Sequence, residues 1–221
     1  MRDYTRQNKK AYNHLAAAYT REWADKPDIE LAGLFLKQVK NGASILDVGC
    51  GPGHYSQYFH ENGYSAQGID FSENMIQISK LRYREIKFSV QDMRRLEFDD
   101  HTFDALWVCS SFPHIQKKEA PKVLLEFKRV LKNDGVLFIN AIIGQRDCRI
   151  EDEKEIAGSY KGQGRFFQWY PNAESFKTIL AQAGFSADEV NNKTVTSHVV
   201  ANATLRTNQW SNFICRPIPE K

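Results

Sequence analysis

The chain has 221 residues, 42% hydrophobic and 26% charged, enough apolar material for the core of one domain. Its net charge of +3 is scattered, and the densest basic run (Lys117, Lys118 and Lys122) falls on a helical face, so a solvated surface rather than a nucleic-acid footprint is expected. Residues 1–10 are polar, no apolar run is long enough to cross a bilayer, and the four cysteines form no Cys-x-x-Cys pair; a cytoplasmic protein with free thiols and no bound metal is expected, without membrane contact.

Helical and strand patterns alternate along the chain, which predicts an α/β fold with a mainly parallel sheet covered on both faces. Leu15, Ala16, Tyr19 and Trp23 predict an amphipathic helix over residues 8–24, and Leu31, Leu34, Phe35 and Val39 a second one ending at Asn41-Gly42. A buried strand at 45–48 follows, then a glycine-rich turn and a short helix closed by Gly63. Strands are expected at 64–69, 86–90, 103–109 and 136–142, with a helix capped by Ser72 after the first of them. Ile115, Val123, Leu124, Phe127, Val130 and Leu131 trace another helical face. Residues 144–165 are polar and aperiodic, and the excursion through 170 is expected to be a lid over a substrate. A last helix around Phe176–Ala183 and strand candidates at 194–200 and 210–215 complete the pattern, read as one domain over 1–221.

The informative stretch is Ile45-Leu46-Asp47-Val48-Gly49-Cys50-Gly51-Pro52-Gly53. Alternating glycines between a buried strand and a helix permit positive φ and a close ligand approach, at the sheet edge where open parallel sheets bind ligands. A dinucleotide fingerprint needs glycine where this chain has His54, and Pro52 removes a backbone donor. Asp70 ends the second strand, where a carboxylate can accept both ribose hydroxyls, and Asp92 follows the third, where one can accept from an adenine amino group. Asp70 by itself fits either NAD or S-adenosylmethionine, and a solvated loop aspartate is the plain alternative for Asp92.

These residues resemble the class I S-adenosylmethionine-dependent methyltransferases, in particular their small-molecule group. Leu46 to Gly53 resembles the first motif, so Gly49, Cys50, Gly51 and Gly53 are expected to cradle the amino-acid part of the cofactor. Gly68-Ile69-Asp70-Phe71-Ser72 resembles the second, with Asp70 on ribose and Phe71 against adenine. Gln91-Asp92-Met93 is similar to the adenine-flanking turn, and Met75 and Cys109 are counted with the cofactor site. The resemblance covers residues 30–143 best and implies a Rossmann-like, doubly wound seven-stranded sheet whose last strand is antiparallel. It also implies that residues 1–42 cap the cofactor, with Tyr19 over its methionine end.

Methyl transfer asks the protein mainly for alignment of the acceptor and exclusion of water. After the fourth strand the chain reads Cys109-Ser110-Ser111-Phe112-Pro113-His114, without the Asn/Asp-Pro-Pro-aromatic motif of base-methylating relatives. His114 is the candidate general base, titrating near neutrality, or else orders its loop. Tyr19 is the second candidate catalytic residue. Arg165 with Phe166, Phe167, Trp169 and Tyr170 either encloses a substrate or packs beneath the loop. The expected activity is methylation of an O, N or C nucleophile on a small molecule. A nicotinamide-dependent oxidoreductase and a catalytically silent cofactor-binding module remain the alternatives, and the oligomeric state leaves no mark on the sequence.

Overall fold

The computed structural model describes residues 4–24, 26–144, 148–151, 164–190 and 209–219. Its frame is five parallel strands: β1 (Ser44–Val48), β2 (Ser65–Asp70), β3 (Lys87–Val90), β4 (Phe103–Val108) and β5 (Leu131–Ile143), in the order β3-β2-β1-β4-β5. The remaining strands are β6 (Cys148–Glu151), β7 (Arg165–Tyr170), β8 (Phe185–Val190) and β9 (Gln209–Pro217). The last strand, β9, lies antiparallel on β5, and β8 lies antiparallel on β9; with the five parallel strands these make the expected seven, and β7 and β6 extend the sheet to nine strands among the described residues. The strand candidate at 194–200 lies outside the described residues, whereas the one at 210–215 is the centre of β9.

The end of the excursion at 144–170, expected as part of a lid, is a strand of the sheet. Residues 148–151 and 165–170 pair as an antiparallel β6–β7 hairpin, and β7 joins β5 in parallel through Ile142↔Trp169 and Ile143↔Tyr170. Pairing between β4 and β5 stops at Ile139, so β7 occupies the edge of β5 that β4 has left. All six residues of β7 are buried. A strand covered on both faces carries no polar–apolar alternation, which is why Arg165–Tyr170 does not read as one. Residues 145–147 and 152–163 lie outside the described residues.

Among the described residues six α-helices flank the sheet: α1 (Tyr4–Trp23), α2 (Ile29–Leu36), α3 (His54–Glu61), α4 (Glu73–Arg82), α5 (Ala120–Val130) and α6 (Ala173–Gln182). Asp28 caps α2 by accepting from Leu31 N at 2.9 Å, and Ser72 caps α4 by accepting from Met75 N at 3.2 Å. Alternation along the strands divides the core between two faces. Leu46, Val48, Leu106, Val108, Leu137 and Ile139 pack with α5 and α6, while Ile45, Ala105, Trp107, Val136 and Phe138 pack with α2 and α3. By the same period of two, Asp47, Cys109 and Asn140 share the side of Trp107 near the carboxyl ends of their strands.

The α2/α3 face is held by aromatic packing. Trp107 stacks on Phe138 with centroids 4.0 Å apart, and Phe35 and Phe59 close on it at 5.1 and 5.5 Å. Trp107 is fully buried, and its Nε1 has no hydrogen-bond partner among the described residues. The side chain therefore stabilises the fold by volume and apolar contact alone. Trp107→Ala should lower the unfolding free energy by about 3–5 kcal/mol in denaturant titrations, and Trp107→Phe should cost clearly less because no indole hydrogen bond is lost. Equal losses in the two variants would contradict this.

Candidate active site

Strand β1 delivers the chain to a loop in which Gly49, Gly51 and Gly53 all have positive φ, at 77°, 53° and 86°. The amides of Gly49 and Cys50 donate to Ile69 O at 2.8 and 2.9 Å, pinning the loop to the end of β2. A Cβ on Gly49 would lie 2.3 Å from Ser111 Cβ, so this position has room only for glycine. A Cβ on Gly51 would find only Tyr19 Cε1 within 4 Å, at 3.9 Å. Tyr19 of α1 thus overhangs a bare stretch of backbone.

Asp70 is 7% exposed and accepts on both oxygens: Gly51 N donates to Oδ2 at 3.0 Å and Ser72 N to Oδ1 at 2.8 Å. Burial pushes its carboxyl up to about 6 against these amides. Each oxygen retains a second lone pair for a ligand hydroxyl. Asp47, which sequence reasoning did not single out, is also buried; burial pushes it up to about 7, although Ser56 Oγ donates to it at 2.7 Å. Its place in an apolar strand before the glycines was the available signal.

A cavity of about 530 Å3 runs along the carboxyl ends of the strands. Phe71, Met75, Asp92 and Met93 line one end, Asp70 and Gly49, Cys50 and Gly51 the middle, and Cys109, Ser110, His114 and Asn140 the other; Tyr12 and Tyr19 also line it. Gly53 does not reach the lining; a Cβ there would meet Phe88 Cζ at 2.9 Å, so it is a packing glycine that opens α3. Asp92 is already engaged, both oxygens accepting from the Arg94 guanidinium at 2.6–3.1 Å. Burial raises the Cys50 thiol well above its ordinary range and pushes Cys109 up to about 12, so both stay protonated at neutral pH. Among the described residues no cluster of His, Cys, Asp or Glu is arranged to hold a metal.

His114 closes a short 3-10 helix, Phe112–His114, and touches both α1 and β7. Its Nδ1 lies 2.8 Å from Phe166 O and its Nε2 2.7 Å from Tyr12 Oη. A carbonyl only accepts, so Nδ1 carries the proton and Nε2 accepts from the Tyr12 hydroxyl. Burial pushes the ring down to about 4, with the Arg165 charge acting in the same direction, which corrects the expectation of titration near neutrality. The ring is uncharged at neutral pH and its basic nitrogen faces a phenol.

Helix α1 is strapped over the cavity by polar contacts that its sequence pattern does not disclose. Asn8 is fully buried and bonds both backbone groups of Phe166, accepting from N at 2.7 Å and donating to O at 3.2 Å. Asn13 accepts from Ser72 Oγ at 2.6 Å and donates to Glu73 at 2.8 Å. Arg165 lies over the rings of Tyr12 and Phe167, and Phe166, Phe167, Trp169 and Tyr170 are core residues; none of the five lines the cavity.

Residues 45–135 match the family model for a methyltransferase domain. The chain is 31% identical over 157 residues to a phosphoethanolamine N-methyltransferase of Triticum aestivum, an alignment covering 68% of this chain and 29% of that protein. The chain thus spans about a third of that relative's length. Among solved structures, a SAM-dependent methyltransferase of Methanosarcina mazei superposes with a TM-score of 0.71 at 18% identity, over 85% of this chain and 98% of the other. The DhpI–SAH complex does so with a TM-score of 0.73 at 14% identity, over 98% of each chain. With the glycine loop and Asp70 in place, the chain carries a methyltransferase domain over residues 45–135, on the Rossmann-like fold of the class I S-adenosylmethionine-dependent methyltransferases that it is similar to.

Proposed function

We propose that the protein transfers a methyl group from S-adenosylmethionine to an O, N or C nucleophile of a small molecule, acting in the cytoplasm. The observation that carries this reading is the continuous cavity from Asp92, past Asp70 and the glycine loop, to Ser110 and His114. The residues fit the cofactor: Asp70 has lone pairs for the ribose hydroxyls, Phe71, Met75 and Met93 offer apolar surface to adenine, and Gly51 leaves space that a Cβ would fill. An adenine amino group at Asp92 shares that carboxylate with Arg94. Residues 1–42 act as the cap, Tyr19 above the glycine loop, and the whole of 1–221 as one catalytic domain. Among the described residues no helix is long and apolar enough to cross a membrane, and the scattered positive charge gives nucleic acid no defined footprint.

When bound, the sulfonium supplies an activated methyl group, and no metal is required of the protein. The chain's own residues align the acceptor and take its proton. His114 serves as base through Tyr12: as an acceptor hydroxyl or amine gives its proton to Tyr12 Oη, the phenol proton passes to His114 Nε2 while Nδ1–H stays on Phe166 O. A ring held down at about 4 is a weak base at neutral pH, so the transfer is worth the low end of the usual range, about 10²-fold. His114→Ala should therefore cut turnover by about 10²-fold while S-adenosylhomocysteine affinity stays unchanged, using an acceptor found by homocysteine release. Wild-type turnover in the variant would remove His114 from the chemistry.

Calorimetry tests the cofactor assignment. S-adenosylmethionine and S-adenosylhomocysteine should bind and NAD should not; tighter NAD binding would overturn the reading. Asp70→Asn should weaken S-adenosylhomocysteine by about tenfold or more, the worth of one charge-assisted hydrogen bond. The sign of the pH effect follows from the raised carboxyl: only the ionised form accepts from both ribose hydroxyls, so affinity should fall as pH drops through about 6. That step should vanish in Asp70→Asn, and its persistence there would assign it to another group.

A further inference from the structure

Ser110 is one of two residues other than glycine with positive φ among the described residues, at 58°. It follows β4 and lines the cavity. A Cβ in this region crowds the backbone, so the conformation persists only where neighbours enforce it. Two do. From β5, Asn140, only 4% exposed, accepts from Ser110 N at 2.8 Å with Oδ1, and its Nδ2 reaches Cys109 Sγ at 3.6 Å. From β1, Val48 O accepts from Ser111 Oγ at 2.7 Å, and Gly49 lacks a Cβ where Ser111 sits.

We infer that Asn140 is a positioning residue that holds Ser110 in the left-handed conformation and thereby shapes the place where the cofactor's amino-acid tail meets the methyl acceptor. The inference rests on S-adenosylmethionine binding in this cavity. With adenine near Asp92 after β3 and ribose on Asp70 after β2, strand order carries the tail across the glycine loop after β1 toward Ser110 after β4. Asn140 lies one strand further and acts on that turn through the Ser110 amide. A serine kept in a costly conformation at the reacting end of a cavity is the arrangement expected when turn geometry is selected over stability.

The test uses the full chain and two probes: S-adenosylhomocysteine, and 5′-methylthioadenosine, which lacks the amino-acid tail. If wild-type protein binds neither, the cofactor reading fails, separately from this inference. Otherwise Asn140→Leu, of the same branched shape but without the acceptor oxygen, should lose about tenfold in S-adenosylhomocysteine affinity and nothing for methylthioadenosine. Adding Ser110→Gly should restore most of the loss, because glycine adopts positive φ unaided. An unchanged affinity, an equal loss for both probes, or no rescue by glycine overturns the inference; a purely structural role lowers the melting temperature without separating the probes. Ser110→Gly alone remains decisive if Asn140→Leu does not fold. It should raise the melting temperature by about 2–4 °C. A melting temperature that stays level or falls shows that Ser110 is not held against its preference, and overturns the inference.

Discussion

The site depends on one buried carboxylate serving two chain segments at once. Asp70 accepts from Gly51 N on one oxygen and from Ser72 N on the other, so it joins the loop after β1 to the start of the helix after β2. Hydrogen bonds to a charged acceptor are worth about 1.5–3 kcal/mol each, and burial opposes them by favouring the neutral acid. The raised carboxyl, at about 6, records the balance: the amides do not fully offset the lost water. The group is ionised at neutral pH yet short of partners, a condition that a ligand with two hydroxyls relieves. The carboxylate is the loop's internal tie and, in the proposed function, the group that receives the ribose.

Around this tie, neighbouring strands each contribute one fixed feature to the same edge. Gly49 packs on Ser111, Ser111 bonds Val48, and Asn140 bonds Ser110, so β1, β4 and β5 are linked by contacts at the cavity itself. Helix α1 closes the edge by polar bonds, Asn8 to Phe166 and Asn13 to Ser72, together with its buried Ala11, Leu15 and Ala16. The position of α1 also brings the Tyr12 hydroxyl within 2.7 Å of His114 Nε2.

Much of this was legible in the sequence. The parallel strands, the glycine loop and Asp70 follow from local patterns, because buried strands and tight turns leave signatures within a few residues. The resemblance to known methyltransferases added the antiparallel last strand and Tyr19. What escaped depends on distant pairs. Asn8 is one polar residue in a mostly polar helix, and its importance lies in Phe166, 158 positions away. Strand β7 is buried on both sides and reads as an aromatic cluster. The environment of His114 is set by Tyr12 and Phe166 from opposite ends of the chain, so an imidazole expected to titrate near neutrality is instead pushed to about 4.

The most direct measurement is a crystal structure of the protein grown with S-adenosylhomocysteine. The account predicts adenine between Phe71 and Met93, both ribose hydroxyls on Asp70, and the amino-acid tail passing Gly51 toward Ser110. Density for the ligand elsewhere, or an extended ligand in this cavity whose ribose makes no contact with Asp70, would contradict it.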